Sequence, residues 1–408
     1  MISYSDALNM IFQQGGLFTA GTEKIPLGEI CDRICAADIK SPRANQPFDN
    51  SAMDGFAVIA DDLLDAVNDN PVILKMAGHL AAGGGLASSG LSRGHCYEIM
   101  TGAPVPEGAD AVVPVEKIQK GAEGRIIFQA AVRRGDNIRR AGVDFQQGDL
   151  VASKGNLLHA GHILALATLG IGDVDVLSRL KVGVISTGME VVDDLKSGLS
   201  DSQIFNSTGP YLRAMLPQMG VDVLYLGTVS DDVAKFKEKV IEAKKQGCDV
   251  ILSTGAVSAG VHDFVPSVIK SMGAEVFFHK VAIRPGKPVF FARLPDNGSY
   301  FIGLPGNPVS TAAGLRFFVQ PLLRAMQGLP PEQPTYAVAA ADYNNLKEGL
   351  RFFLRAQSVR DTNGQRVVRL IEEQQSFMVK PFTQSDTWVC ISEDVKQVRQ
   401  GDLVAVYQ

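Results

Sequence analysis

The stretch 299–323, "SYFIGLPGNPVSTAAGLRFFVQPLL", carries an apolar segment into a Gly-Leu-Pro-Gly-Asn-Pro turn and then into a helical pattern. A strand passing through a tight turn into a helix is the repeating step of an α/β sheet. Three other stretches make the same step: "KVGVISTGMEV" (181–191), "DVLYLGTVSDD" (222–232) and "DVILSTGAVSAGVHDF" (249–264). Their strands are apolar on both faces, as in a parallel sheet covered by helices. The expectation for 179–328 is an α/β domain with a mainly parallel sheet.

Outward from this domain the pattern changes. Residues 3–14 and 24–39 read as amphipathic helices, and 148–177 as a hairpin-like piece with an apolar helix. Segments 1–45 and 146–178 are therefore expected to form one discontinuous domain. Between them, 46–145 alternates short strands with glycine-rich loops, the pattern of a β-rich domain. The proline-rich "GLPPEQPTY" (328–336) marks a boundary, and five strand-like runs over 329–408 suggest a small C-terminal β-barrel.

The chain has 408 residues, 46% hydrophobic and 20% charged, with a formal charge of -5. That composition is too long for one core and lacks the global basic field of a nucleic-acid binder. No apolar run reaches the roughly 18 residues of a membrane span. The first residues lack the basic region and apolar core of a signal peptide, so the expected address is the cytoplasm. Five cysteines form no even framework, and Cys31 and Cys35 are spaced for one helix face rather than a zinc knuckle.

Ligands of open α/β sheets bind beyond the carboxyl ends of the strands. There the four loops are built of small residues whose N–H groups are free to face an anion. Glu190, Asp231, Asp232 and Asp263 follow those strand ends. Carboxylates beside phosphate-binding loops suit Mg²⁺. "HKVAIRPGKPVFFARL" (279–294) adds Lys280, Arg284 and Lys287, three cations suited to an oxyanion. In "GLPGNPVS", Pro308 is expected to start a helix and Asn307 to cap it. Neither G-x-G-x-x-G nor G-x-x-x-x-G-K-[ST] occurs, which argues against a dinucleotide dehydrogenase or a P-loop kinase. His262 has no serine in a nucleophile elbow to serve and reads as a solvated side chain.

Seven motifs in order carry a resemblance: "FDNSAMDGFA" (48–57), "IMTGAPVPEGADAVV" (99–113), "NIRRAGVDF" (137–145), "STGMEV" (186–191), "STGAVSAGVHDF" (253–264), "RPGKP" (284–288) and "GLPGNPVS" (303–310). Together they resemble the MoeA family of molybdopterin molybdenumtransferases, related to the gephyrin E domain, over essentially the whole chain. The resemblance implies four domains in an elongated subunit, the α/β one being three-layered and MogA-like. It also implies a homodimer whose active site is shared between the α/β domain of one copy and the second domain of the other. The implied reaction takes adenylated molybdopterin and molybdate, uses Mg²⁺ with Zn²⁺ as an alternative, and releases AMP. A transient contact with the molybdopterin adenylyltransferase is implied as well.

Transferred to this chain, the catalytic set is Glu190, Asp231, Asp263, Asp54 and Thr101, the first three holding the metal. Substrate contacts fall on Arg139, Ser258, Lys280, Arg284, Lys287, Pro305 and Pro308, with Arg355 and Ser376 in the last domain toward molybdate. The chain departs from the family pattern at Met189, where Asp is usual, at Arg284, where Lys is usual, and in "TGAVS", where "GGVS" is more common. The competing readings are a related adenylyl-transferring or pyrophosphate-cleaving enzyme on the same fold and a non-catalytic scaffold.

Overall fold

The computed structural model describes residues 1–85, 87, 89–258, 264–296 and 298–408, which gather into two compact units, Lys24–Val176 and Met1–Glu23 with Leu177–Gln408. In the larger unit, four parallel strands lie in the order Asp222–Val229, Lys181–Thr187, Val250–Thr254 and Tyr300–Leu304. Phe290–Arg293 and Glu275–His279 extend the sheet antiparallel. The central strands are apolar toward both faces and feed two separate buried clusters, one on each side. The α/β expectation holds, with Phe290–Arg293 running against the other strands near one edge.

The C-terminal strands form a closed ring. Thr335–Ala339 pairs with Arg366–Leu370 and Leu403–Tyr407, and Arg351–Arg360 pairs with both Arg366–Leu370 and Thr387–Ile391. The pairing of Thr387–Ile391 with Leu403–Tyr407 completes a five-stranded barrel and leaves it without a free edge. Ile283 and Arg284 pair in parallel with Arg351 and Phe352, so the basic turn of the α/β part is hydrogen-bonded to the barrel. Phe317 and Phe353 stack with centroids 3.8 Å apart, and Trp388 packs edge-on to Phe317.

The helix Tyr4–Gly15 forms as its sequence suggests: Ser3 caps it by accepting from the Asp6 N–H at 3.0 Å, while Tyr4, Ala7 and Ile11 supply a buried stripe. Its position differs from expectation. It packs on Gln320–Met326 in the larger unit, so closely that a Cβ on Gly15 would lie 2.5 Å from that of Ala325. Tyr300 also donates to the Gln14 carbonyl at 2.6 Å. The apolar face is satisfied by the nearest large core, which here belongs to the α/β part.

The expected helix over 24–39 is absent. The chain instead runs as the strand Thr22–Pro26, a short 3₁₀ turn Leu27–Glu29, and isolated bridges from Ile34 to Leu157 and Cys35 to Val176. Asp32 at φ 60° breaks any helical path, and the Cys35 N–H goes to the Asn156 carbonyl at 2.9 Å. Pairing with 150–177 outweighs the helical spacing. It leaves Cys31 exposed and Cys35 buried. The helix Ala160–Thr168 covers this small core, and the rest of the unit is a six-stranded sheet with polar loops. Among the described residues no helix is long and apolar enough to cross a membrane.

Candidate functional site

At the carboxyl ends of the parallel strands lies a cleft of about 1050 Å³, lined by 186–188, 254–258, 284–288, 305–308 and 374–377. Its floor is held by contacts between strand ends. The Thr187 hydroxyl donates to the Thr254 carbonyl at 3.0 Å, and the Gly255 N–H donates to the Leu304 carbonyl at 2.9 Å. Gly255 sits at φ 92°, and a Cβ there would fall 2.8 Å from the Thr187 carbonyl oxygen. Only glycine lets these two loops meet. Gly188, at φ 139°, lies under the Glu190 carboxylate, whose Oε2 would stand 2.8 Å from an added Cβ.

The "GLPGNP" turn is one wall. Pro308 is the first residue of the helix Pro308–Gly314, where its missing N–H costs nothing. Asn307 occupies the cap position, but its side chain makes no cap; it donates to the Ser376 hydroxyl at 3.2 Å. The Ser376 carbonyl accepts from the Val309 N–H at 3.3 Å, while the Thr311 hydroxyl donates to the Pro305 carbonyl at 2.6 Å. The barrel loop, rather than Asn307, thus closes the helix end.

Opposite this wall is the basic turn. The Val281 N–H donates to the Lys287 carbonyl at 2.9 Å, which closes the turn and presents two exposed cations to the cleft. Arg284 rests over the Phe352 ring, 5.9 Å from its centroid. Neither Arg284 nor Lys287 has an ion-pair partner among the described residues. Glu190 and Asp231 also line the cleft. No group of three His, Cys, Asp or Glu side chains able to hold a metal is present among the described residues.

The cleft therefore gathers Glu190, Asp231, Ser258, Arg284, Lys287, Pro305, Pro308 and Ser376. Asp263 lies outside the described residues. Lys280, half-buried at φ 71°, does not line the cleft; its backbone joins Ile2 and Val289. Arg355 is 1% exposed and is not among the residues that line the cleft. Its guanidinium donates to the Met378 and Glu373 carbonyls, each at 2.6 Å, so it shapes the loop that carries Ser376. Burial pushes its pKa down, and Glu373 opposes that shift. Asp232 caps the helix Val233–Lys245 through the Ala234 N–H at 2.9 Å.

Asp54, Thr101 and Arg139 belong to the Lys24–Val176 unit. Asp54 accepts from the Thr101 N–H at 2.7 Å and the Thr101 hydroxyl at 2.8 Å, which hold its carboxyl below the usual range. Arg139 lies in the two-residue strand Ile138–Arg139, opposite Asn50.

Sequence reasoning missed Asp193. Its carboxylate accepts from the Tyr225 hydroxyl at 2.7 Å, Asn206 Nδ2 at 2.8 Å and the Thr228 hydroxyl at 2.8 Å, tying the 188–206 excursion to the sheet. Burial raises its pKa, and these hydrogen bonds together outweigh burial and leave it low. The only sequence signal was the cluster "FNST" (205–208), whose Asn206 and Thr208 are buried polar residues. Phe205 and Phe377, both exposed and both lining the cleft, were also missed.

Comparison with known proteins covers nearly the whole chain. The MoeA N-terminal region (domain I and II) matches residues 2–170, a probable molybdopterin binding domain matches 183–325, and the MoeA C-terminal region (domain IV) matches 337–408. The molybdopterin molybdenumtransferase of Synechococcus elongatus is 36% identical over 391 residues, spanning 96% of this chain and 95% of the relative. That of Haemophilus influenzae is also 36% identical, over 95% and 94%. Two crystal structures of the molybdopterin biosynthesis moeA protein of Pyrococcus horikoshii superpose with a TM-score of 0.84 at 30% and 27% identity. They cover 100% of this chain and 98% and 99% of theirs.

Proposed function

The chain belongs to the MoeA family, and on that premise we propose that it inserts molybdenum from molybdate into adenylated molybdopterin, releasing AMP and forming the molybdenum cofactor. The observation that carries this reading is the cleft in which Arg284 and Lys287, without ion-pair partners among the described residues, stand with Glu190 and Asp231 over a floor of glycine-lined strand ends. Both substrates are anionic: molybdate is a tetrahedral dianion and the adenylated pterin carries a pyrophosphate. Planar Arg284 and point-charge Lys287 suit these two kinds of oxyanion.

Mg²⁺ fits the donors present, since it binds through one or two carboxylates and completes its shell with substrate phosphates and water. Glu190 and Asp231 would hold it, and the resemblance adds Asp263, which lies outside the described residues, as a third donor. Zn²⁺ fits poorly, because its sites draw on Cys and His, which are absent from the described lining of the cleft. When bound, Mg²⁺ neutralises phosphate charge during cleavage of the adenylyl bond. The chain's own residues do the positioning: Lys287 and Arg284 fix the oxyanions, and Ser258 and Ser376 offer hydroxyls on opposite loops.

In the same reading the protein works in the cytoplasm as a homodimer, with Asp54, Thr101 and Arg139 of a second copy completing the site. It receives adenylated substrate from the adenylyltransferase by transient contact. The test is AMP release from adenylated molybdopterin and Mg²⁺, with and without molybdate. Release that requires molybdate is expected; the same rate without it would overturn the proposal.

A further inference from the structure

The cleft is polar and charged, yet the turn on its barrel side displays Phe377 with 69% of its surface exposed. A single exposed phenylalanine is common on protein surfaces. This one is held in place from both sides. Before it, Ser376 is bound twice to the helix start, through its carbonyl to the Val309 N–H and through its hydroxyl to Asn307. After it, the Met378 carbonyl accepts from buried Arg355 at 2.6 Å, and the Met378 N–H donates to the Gln375 carbonyl at 3.2 Å. A fully buried cation is thus used to fix a turn whose tip is an aromatic ring lining the cleft. Ring display of this kind loses little freedom when a ligand covers it.

We propose that Phe377 is the platform on which a flat heteroaromatic ring of the substrate stacks. The π-face of phenylalanine takes any planar base and adds no hydrogen-bond demand, so the neighbouring cations remain available for the phosphates. The inference rests on the molybdenum-transfer reading, whose adenylated substrate carries two such rings, an adenine and a pterin.

Binding of AMP and of metal-free molybdopterin to the full-length protein, measured separately by calorimetry for wild type, Phe377→Ala and Phe377→Trp, tests it. Phe377→Ala is expected to weaken one of the two ligands roughly tenfold and leave the other unchanged, which identifies the ring. Phe377→Trp is expected to restore that affinity, and its emission to be quenched by the stacked ring. The single native tryptophan, Trp388, serves as the buried reference. If Phe377→Ala binds both ligands as wild type does, the platform is overturned, while molybdate-dependent AMP release by wild type leaves the enzymatic reading intact. Conversion of a wild-type dimer to monomers by Phe377→Ala, with both affinities unchanged, would reassign the ring to contacts between copies and overturn it equally. A wild-type protein that binds neither ligand and releases no AMP overturns both.

Discussion

The cleft of the larger unit and the loops of the smaller one are both rich in charge, but they handle it differently. In the cleft, Arg284 and Lys287 are exposed without an ion-pair partner among the described residues. In the smaller unit, Asp49 is paired with Arg140 at 2.6 Å and also accepts from the Ala141 N–H at 2.8 Å. Arg134 bridges Asp61 at 2.6 Å and Asp110 at 3.3 Å, and Asp54 is satisfied by Thr101. Charge neutralised within a loop shapes that loop. Charge left unpaired beside a preorganised wall is where an external ion completes the set.

The strongest way to break this contrast is to delete one unpaired cation. Lys287→Ala is expected to lower molybdate-dependent AMP release about 100-fold while the thermal midpoint stays at the wild-type value, because an exposed, unpaired lysine contributes to binding rather than to folding. A lowered midpoint with retained activity would place Lys287 among the structural charges instead.

Asp193 sharpens the comparison from beside the cleft, since it is an acid whose hydrogen bonds go to Tyr225, Asn206 and Thr228 of the same unit. Asp193→Asn is expected to cost about 1 kcal/mol at neutral pH in urea unfolding. The folded pKa lies below the unfolded one, so the ionised form's contribution is complete above the ordinary carboxyl value and is lost as pH falls through the lowered one. The stabilities of mutant and wild type should therefore converge in acid. A gap that stays constant down to pH 3 would show that the carboxylate's charge is not what ties the 188–206 segment down.

The smallest effect belongs to the self-neutralised loops. Arg140→Ala removes an exposed pair and is expected to cost no more than about 1 kcal/mol in the same assay, less at high salt. The adjoining Ala141 N–H continues to hold Asp49 low, as it is the larger cause of that shift. A cost several times greater would mean that the pair organises the whole loop cluster.

The parallel strands, the barrel strands and the glycine turns were legible because each rests on local rules: residues apolar on both faces, period-two alternation, and turns that only glycine or proline can make. The placement of Glu190, Asp231, Lys287 and Pro308 at the cleft was legible for the same reason, each lying in a turn that follows a strand or at a helix start. Three readings failed where a distant segment decided the outcome. The helical spacing of 24–39 yielded to pairing with 150–177. Asn307 had the right position and residue type for a cap, but Ser376 was close enough to take its amide. Arg355 was assigned to molybdate by the resemblance alone, whereas in the structure it is buried and donates to the backbone of the turn that bears Phe377.

The sequence by itself determined the alternation of strands and helices in the α/β part, the chemistry of the loops at its strand ends and the family to which the chain belongs, since these follow from local pattern and residue type. Tertiary structure alone decided which charges remain unpaired, which helix end is closed by which loop, and that helix Tyr4–Gly15 packs with the α/β part. Those outcomes depend on residues hundreds of positions apart competing for the same hydrogen bonds and the same apolar surface, and no local spacing encodes who arrives first.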